Sequence, residues 1–293
     1  STLASDTRLK ENNSWPSKGE IQFNNVYMKY RENTEHILKG LTFSVNPSEK
    51  IGCVGRTGSG KSSIIQTLFR MVEIDKKAVP DASVRIDNVD IFEIGLDTLR
   101  KSISIIPQTP FTFTGTVKKN LDPLGEYGDA KIITALEESG LWNYINSLPE
   151  GLNTTISNTS SLFSTGQKQL LCLARALLQN NKIIVLDEAT SNVDFETDNF
   201  IQSKIMERFR ESTVFTIAHR LSTVAHYDRV MVMDKGRVKE FDHPYKLLVR
   251  NIGDEMITRS EGLFASMVLN TGVRHSGVIF QNARSSYFQK FEK

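Results

Sequence analysis

The chain has 293 residues, 39% hydrophobic and 24% charged, enough for one large α/β domain, or one of about 230 residues with tails, around a buried core. The 36 Lys+Arg against 34 Asp+Glu leave a net charge of +2, which gives no argument for nucleic acid as a partner. Cys53 and Cys172 lie far apart with neither metal-site nor CxxC spacing, so they read as small buried side chains in a reduced, cytosolic setting.

No stretch approaches the roughly 18 consecutive apolar residues of a membrane span, and no secretory signal is visible. The chain starts at Ser1, not Met. If it serves a membrane process, we expect the membrane part on another polypeptide or beyond this sequence.

In chain order, residues 1–18 are polar and read as a linker. Glu20 to Val26 and Leu38 to Val45 alternate in polarity like half-buried strands, and Lys50 to Val54 is a short buried strand ending in a glycine-rich loop. Apolar residues then recur at helical spacing from Lys61 to Val72. The region from about 108 to 182 reads as mostly helical, with Pro107, Pro110, Pro123 and Pro149 marking turns and an apolar, buried helix over Lys168 to Leu178. Strand patterns return at Ile183 to Leu186, Val214 to Ala218 and Val230 to Met233. The turn Lys235-Gly236 predicts a hairpin into Arg237 to Phe241. Such alternation predicts a parallel sheet covered on both faces, interrupted by a helical insertion.

Gly55-Arg56-Thr57-Gly58-Ser59-Gly60-Lys61-Ser62 fits G-x-x-x-x-G-K-[ST] between a predicted strand and a predicted helix. The chemistry explains the spacing. Glycines at 55, 58 and 60 permit a tight loop whose backbone N–H groups turn inward to phosphate oxygens, and the following helix adds its positive end. Lys61 supplies a charge to the outer phosphates and the Ser62 hydroxyl a ligand for Mg2+, with Ser63 beside it in the same first turn. These residues predict a nucleoside triphosphatase.

Ile183 to Leu186 leads directly into Asp187 and Glu188. A strand buried on both faces delivers such acids at its carboxyl end, where open α/β sheets bind ligands. Successive residues point different ways, so Asp187 is expected to organise Mg2+ and Glu188 to act as general base on the attacking water. His219 ends another apolar strand and is expected near the outermost phosphate. Phe163-Ser164-Thr165-Gly166-Gln167 precedes the buried helix, making either a plain N-cap or a second anion site. With one phosphate loop already present, a second anion site implies a nucleotide held between two copies.

Taken together, these segments resemble the nucleotide-binding domain of ABC transporters from about Gly19 to Asn270. Residues 55–62 resemble the Walker A loop, Ile183 to Glu188 the Walker B strand, and Phe163 to Gln167 the family signature LSGGQ. The resemblance implies further roles. Gln108 would be the Q-loop glutamine that touches Mg2+ and senses the transmembrane partner. Ser191-Asn192-Val193-Asp194 would be the D-loop, His219 the switch histidine, and Tyr30 the aromatic that stacks on adenine, with Tyr27 the second candidate. A finer resemblance, carried by Trp15 to Ile21, Asn120-Leu121-Asp122-Pro123 and Gln169 to Leu178, points to the second such domain of subfamily C, the multidrug-resistance-associated type. The implied fold is a RecA-like phosphate-loop core, an antiparallel β region holding Tyr30 and an inserted helical region at about 108–182. The implied boundaries are 1–18 linker, 19–250 nucleotide-binding domain, and 251–293 insertion, terminal helix and tail.

The implied activity is ATP hydrolysis, with Mg2+, driving export. The implied partners are a sister domain in a head-to-tail ATP sandwich, using Ser164, Gly166 and Gln167, and the transporter's transmembrane domains at the cytosolic face of a membrane. A nucleotide-sensing domain that gates a channel or receptor is the alternative. The sequence departs from the family at Phe163, at Thr165 and at Ser157 to Ser161, where an acidic, glycine-rich stretch is usual. Residues 251–261 read as an insertion, and 271–293 match nothing in the family pattern.

Overall fold

The computed structural model describes residues 15–157, 162–188 and 194–292. The predicted linker up to residue 14, residues 158–161 and Ser191-Asn192-Val193 of the predicted D-loop lie outside the described residues. The first strands are β1 (Ile21–Met28), β2 (Leu38–Val45), β3 (Lys50–Gly55), β4 (Ser83–Ile86), β5 (Val89–Asp90) and β6 (Ile103–Ile106). They are followed by β7 (Gly115–Thr116), β8 (Thr155–Ile156), β9 (Ile183–Asp187), β10 (Thr213–Ile217), β11 (Arg229–Asp234) and β12 (Arg237–Asp242). The helices begin with α1 (Lys61–Leu68), α2 (Leu96–Lys101), α3 (Val117–Leu121), α4 (Asp129–Glu138), α5 (Trp142–Ser147) and α6 (Thr165–Gln179). They end with α7 (Phe195–Arg208), α8 (Leu221–Val224), α9 (Pro244–Leu248), α10 (Leu263–Leu269) and α11 (Val273–Phe291).

The chain divides into two compact units, one of residues 1–102 and 211–293, the other of residues 103–210. In the first unit, β2, β1, β4 and β5 form an antiparallel sheet in that order. Its alternation is visible in β1, where Ile21, Phe23, Val26 and Met28 are buried and Phe23 stacks on Phe43 at 4.6 Å between centroids. The second sheet of this unit runs β12-β11-β3-β10. There β3 lies parallel to both β10 and β11, and β12 returns antiparallel through the predicted hairpin. Ile51, Cys53 and Val54 are fully enclosed, as a central parallel strand requires. Burial pushes the Cys53 thiol up to about 12, which fits the small buried side chain predicted for it.

The hairpin turn joins three segments distant in sequence. Gly236 N donates to Ser59 O at 2.9 Å, and Lys39 N donates to Gly236 O at 3.0 Å. Gly236 has φ of 78°, and a Cβ there would lie 2.1 Å from Ile37 O, so only glycine fits.

Helix α1 stops short of the predicted Val72. Phe69 caps it, and Arg70 reverses the chain at φ of 50° while its guanidinium donates to Ile91 O and Ile94 O at 3.1 and 2.6 Å. The last 20 or so residues also have a definite place: α11 packs on α9 and α10, and it meets α9 through aromatic rings. Tyr245, fully buried, meets Phe280, Tyr287 and Phe288 at 5.9, 5.2 and 5.6 Å. Its hydroxyl donates to Asp254 O at 2.9 Å and accepts from Gly253 N at 3.0 Å, tying down the 251–261 segment. His243, also buried, accepts from Tyr245 N through Nδ1, and burial brings its pKa down to about 4, so the ring is neutral.

In the second unit β6 and β9 pair in parallel, Ile103 opposite Ile183 through Ile106 opposite Leu186. Helix α6 buries Leu171, Cys172, Leu173, Ala174, Ala176, Leu177 and Leu178, with about 1.5–3 kcal/mol for each fully buried leucine. Arg175 braces this helix against the preceding loops, donating to Asn120 O at 2.6 Å and Phe111 O at 3.0 Å. Asp122 receives Glu126 N and Tyr127 N, both at 2.9 Å. The Asn120-Leu121-Asp122-Pro123 motif therefore does structural work in this unit.

Candidate nucleotide-binding site

In the first unit the glycine-rich loop leaves the carboxyl end of β3, and its last residue, Gly60, is the N-cap of α1 at φ of 107°. That left-handed turn aims the first N–H groups of α1 into the loop's concavity, and Gly60 has no side chain to cap them. Lys61 is buried and lays its ammonium on the carbonyls of Gly55 and, at 3.3 Å, Arg56. Arg56, Thr57, Gly58 and Ser62 are exposed around it, and a Cβ at Gly58 would meet open space. Ser59 Oγ is buried with no hydrogen-bond partner. Uncapped N–H groups, a buried ammonium and an orphaned hydroxyl are the donors that a polyphosphate needs. The residues present fit the triphosphate of ATP.

Strand β10 runs beside β3, and Ala218 N donates to Cys53 O at 3.0 Å. The same register carries the next residue, His219, to the loop's side of the sheet. Burial and the nearby Lys61 charge hold its pKa below the usual value, so it is a neutral imidazole at pH 7. Tyr30 is 52% exposed, and its hydroxyl meets Ser63 Oγ at 2.9 Å and donates to Gln66 Oε1 at 2.6 Å, both on α1. Tyr27 is half-buried and packs its ring edge-on against His36 at 5.3 Å. Of the two tyrosines, Tyr30 has the free ring beside the phosphate-loop helix. Gln66 was not predicted; it sits in mid-helix with no motif to mark it.

In the second unit, Gln108 follows β6, Asp187 ends β9 and Glu188 comes directly after it. The parallel register brings these three residues to one carboxyl edge. Glu188 is only 5% exposed. Ser164 is the N-cap of α6: its Oγ accepts from Gln167 N at 3.1 Å, and Gln167 Oε1 accepts from Ser164 N at 2.9 Å. The plain-cap alternative is therefore realised, and Ser164 and Thr165 at the helix end stay exposed. Gly166 packs near α7, where a Cβ would lie 3.4 Å from Thr197 Oγ1. Asp194, the described residue of the predicted D-loop, caps α7 through Glu196 N at 3.3 Å.

A parallel sheet whose glycine-rich loop opens a helix beneath a lysine, together with acids at a strand's carboxyl end, defines a phosphate-loop ATP-binding fold. A family model described as ABC transporter matches residues 38–191. The chain belongs to the ABC transporter family, as an ATP-binding domain of the subfamily C type. It is 46% identical over 276 residues to "ATP-binding cassette sub-family C member 4" of Mus musculus, covering 94% of this chain and 20% of that protein. It is 50% identical over 240 residues to the "Probable multidrug resistance-associated protein lethal(2)03659" of Drosophila melanogaster, covering 81% and 17%. The chain thus spans about a fifth of the length of these relatives. A solved structure, "Structure of a bacterial Atm1-family ABC exporter with ATP bound", superposes with a TM-score of 0.76 at 30% identity, covering 88% of this chain and 42% of that one. Tyr30 and His219 lie outside the family-model match. No helix of the described residues is long and apolar enough to cross a membrane.

Proposed function

We propose that this domain hydrolyses ATP to power export by a transporter of subfamily C, as the second of its two nucleotide-binding domains. The observation that carries the reading is the loop at 55–62, where uncapped helix N–H groups and the Lys61 ammonium stand ready for phosphates. Ser62, Gln108 and Asp187 are oxygen donors of the kind Mg2+ takes, and they are the residues we assign to it. When bound, the cation supplies charge neutralisation to the phosphate oxygens. Glu188 accepts the proton of the attacking water, His219 donates to phosphate oxygen as a neutral ring, and Lys61 holds the outer phosphates. Ser164, Gly166 and Gln167 serve the ATP held by the sister domain. Transmembrane domains elsewhere in the protein would place the domain at the cytosolic face of a membrane.

Relatives named as sub-family C and multidrug-resistance-associated members support the transport reading, and no finding favours the nucleotide-sensing alternative. Phosphate release from Mg-ATP, measured for the full-length parent, tests it. Saturable steady-state turnover is expected; tight binding without turnover would turn the assignment to a nucleotide sensor.

Tyr30→Ala is expected to weaken ATP binding by roughly 1–3 kcal/mol, the scale of a base stacked on an aromatic ring. Calorimetric titration checks this, and a larger loss in Tyr27→Ala would move the assignment to that residue.

A further inference from the structure

The loop that carries Tyr30 is nearly all polar. Between Lys29 and His36 it reads Tyr30-Arg31-Glu32-Asn33-Thr34-Glu35, and all six of these side chains are exposed. No apolar anchor fixes it, so polar ties must. Ile37 N donates to Met28 O at 2.7 Å and closes the loop's base. Lys29 Nζ donates to Glu32 O at 2.9 Å and Thr34 Oγ1 to Arg31 O at 2.8 Å, both ties within the loop.

Among the described residues, and besides the fully exposed pair of Lys77 Nζ with Glu32 Oε1 at 3.4 Å, two kinds of polar tie reach outside it. One is the Tyr30 hydroxyl on α1. The other is Asp75, whose carboxylate lies 2.9 Å from His36 Nε2 at the loop's far end and 3.8 Å from Lys29 Nζ at its near end. Its other oxygen accepts from Ala78 N at 3.1 Å, and its own N–H donates to Tyr27 O at 2.8 Å. One residue on the segment after α1 thus grips both ends of the loop and the strand before it. These bonds hold the Asp75 carboxyl below the usual carboxylate range, His36 being the largest cause. A cavity of about 530 Å³ lies between the two strips so joined, lined by Lys29 to Glu32 on one side and Met71 to Lys77 on the other.

We propose that Asp75 is a positioning residue for Tyr30, holding Lys29 and His36 so that the loop presents its aromatic ring to the nucleobase. The inference rests on the adenine reading of Tyr30. It assigns Asp75 and His36 an effect on the base end of the nucleotide and none on the phosphate end, because their hydrogen bonds and ion pairs go to Tyr27, Lys29, Ala78, Val79 and each other. Asp75→Asn weakens the grip while keeping the side chain's size. His36→Gln loosens it from the other side, leaving the carboxylate and the Asp75 N–H bond in place.

The test is calorimetric titration of the full chain with ATP and with inorganic tripolyphosphate, which has no base. Each variant is expected to weaken ATP about two- to fivefold, the scale of a partly exposed ion pair, and to leave tripolyphosphate unchanged. In a Tyr30→Ala background neither substitution should weaken ATP further. An equal loss for tripolyphosphate, an undiminished loss in the Tyr30→Ala background, or wild-type ATP affinity in both variants would overturn the proposal. If Tyr30→Ala itself binds ATP like the parent, the adenine reading fails and the positioning role falls with it. If Tyr30→Ala weakens ATP while Asp75→Asn and His36→Gln do not, the positioning role alone falls.

Discussion

Glu188→Gln is expected to lower ATP hydrolysis by roughly 10²–10⁴-fold while ATP still binds, because the substitution keeps size and hydrogen-bonding shape and removes the capacity to take a proton. Glu188 is 5% exposed just after a strand whose Ile183 to Leu186 are buried, so the replacement amide has little freedom to find another pose. Binding survives because Lys61, Ser62 and Asp187 are unchanged. ATP that is bound and uncleaved should then hold two domains together through Ser164 and Gly166. In size-exclusion chromatography the variant with Mg-ATP should elute as a pair, with its sister domain the preferred mate, and as a monomer without nucleotide. Hydrolysis at the parent rate would remove Glu188 as the base. A variant that binds ATP tightly and stays monomeric beside its sister domain would remove the sandwich.

Lys61→Ala is expected to weaken ATP binding by about tenfold or more, the worth of a charge-assisted hydrogen bond of roughly 1.5–3 kcal/mol to a phosphate. The fold should persist. The substitution removes no main-chain group, and the loop's turns at Gly55 and Gly60, with φ of 154° and 107°, are conformations that glycine adopts without strain. Titration calorimetry with a far-ultraviolet circular dichroism melt separates the two effects. Parent-like ATP affinity would defeat the phosphate-loop assignment, and a collapsed melting transition would make Lys61 a structural residue instead.

The parts of this fold legible in sequence were those where one physical requirement dominates a short window. β3, β9 and the glycine-rich loop are such windows: a strand buried on both faces must be apolar throughout, and a loop that wraps phosphate must shed its Cβ atoms. Helix α7 was missed because only Ile201 and Ile205 of its 14 residues are buried, too few to print a period. The two-residue strands β5, β7 and β8 were missed because pairing partners far along the chain define them. Val72 was read as helical because its spacing continued that of α1, whereas Arg70 leaves the helical region for contacts with Ile91 and Ile94. At the site, motif spacing marked Lys61, Asp187 and Glu188. Asp75, His36 and Gln66 had no such mark, since their relation to Tyr30 exists only once β1, β2 and α1 are folded together.

The joint at Gly236 differs in kind from all these contacts, because main-chain atoms alone make it. The amide of Gly236 meets the carbonyl of Ser59, and its carbonyl meets the amide of Lys39. The phosphate loop, the hairpin turn and the first strand pair are therefore welded in a way that side-chain drift at positions 39 and 59 leaves untouched. The constraints on sequence are the missing Cβ at 236 and the exclusion of proline at 39, whose N–H the joint uses. A lineage can rewrite the residues around this joint and inherit the connection intact, so long as it keeps that glycine, keeps proline out of position 39 and inserts nothing in the turn.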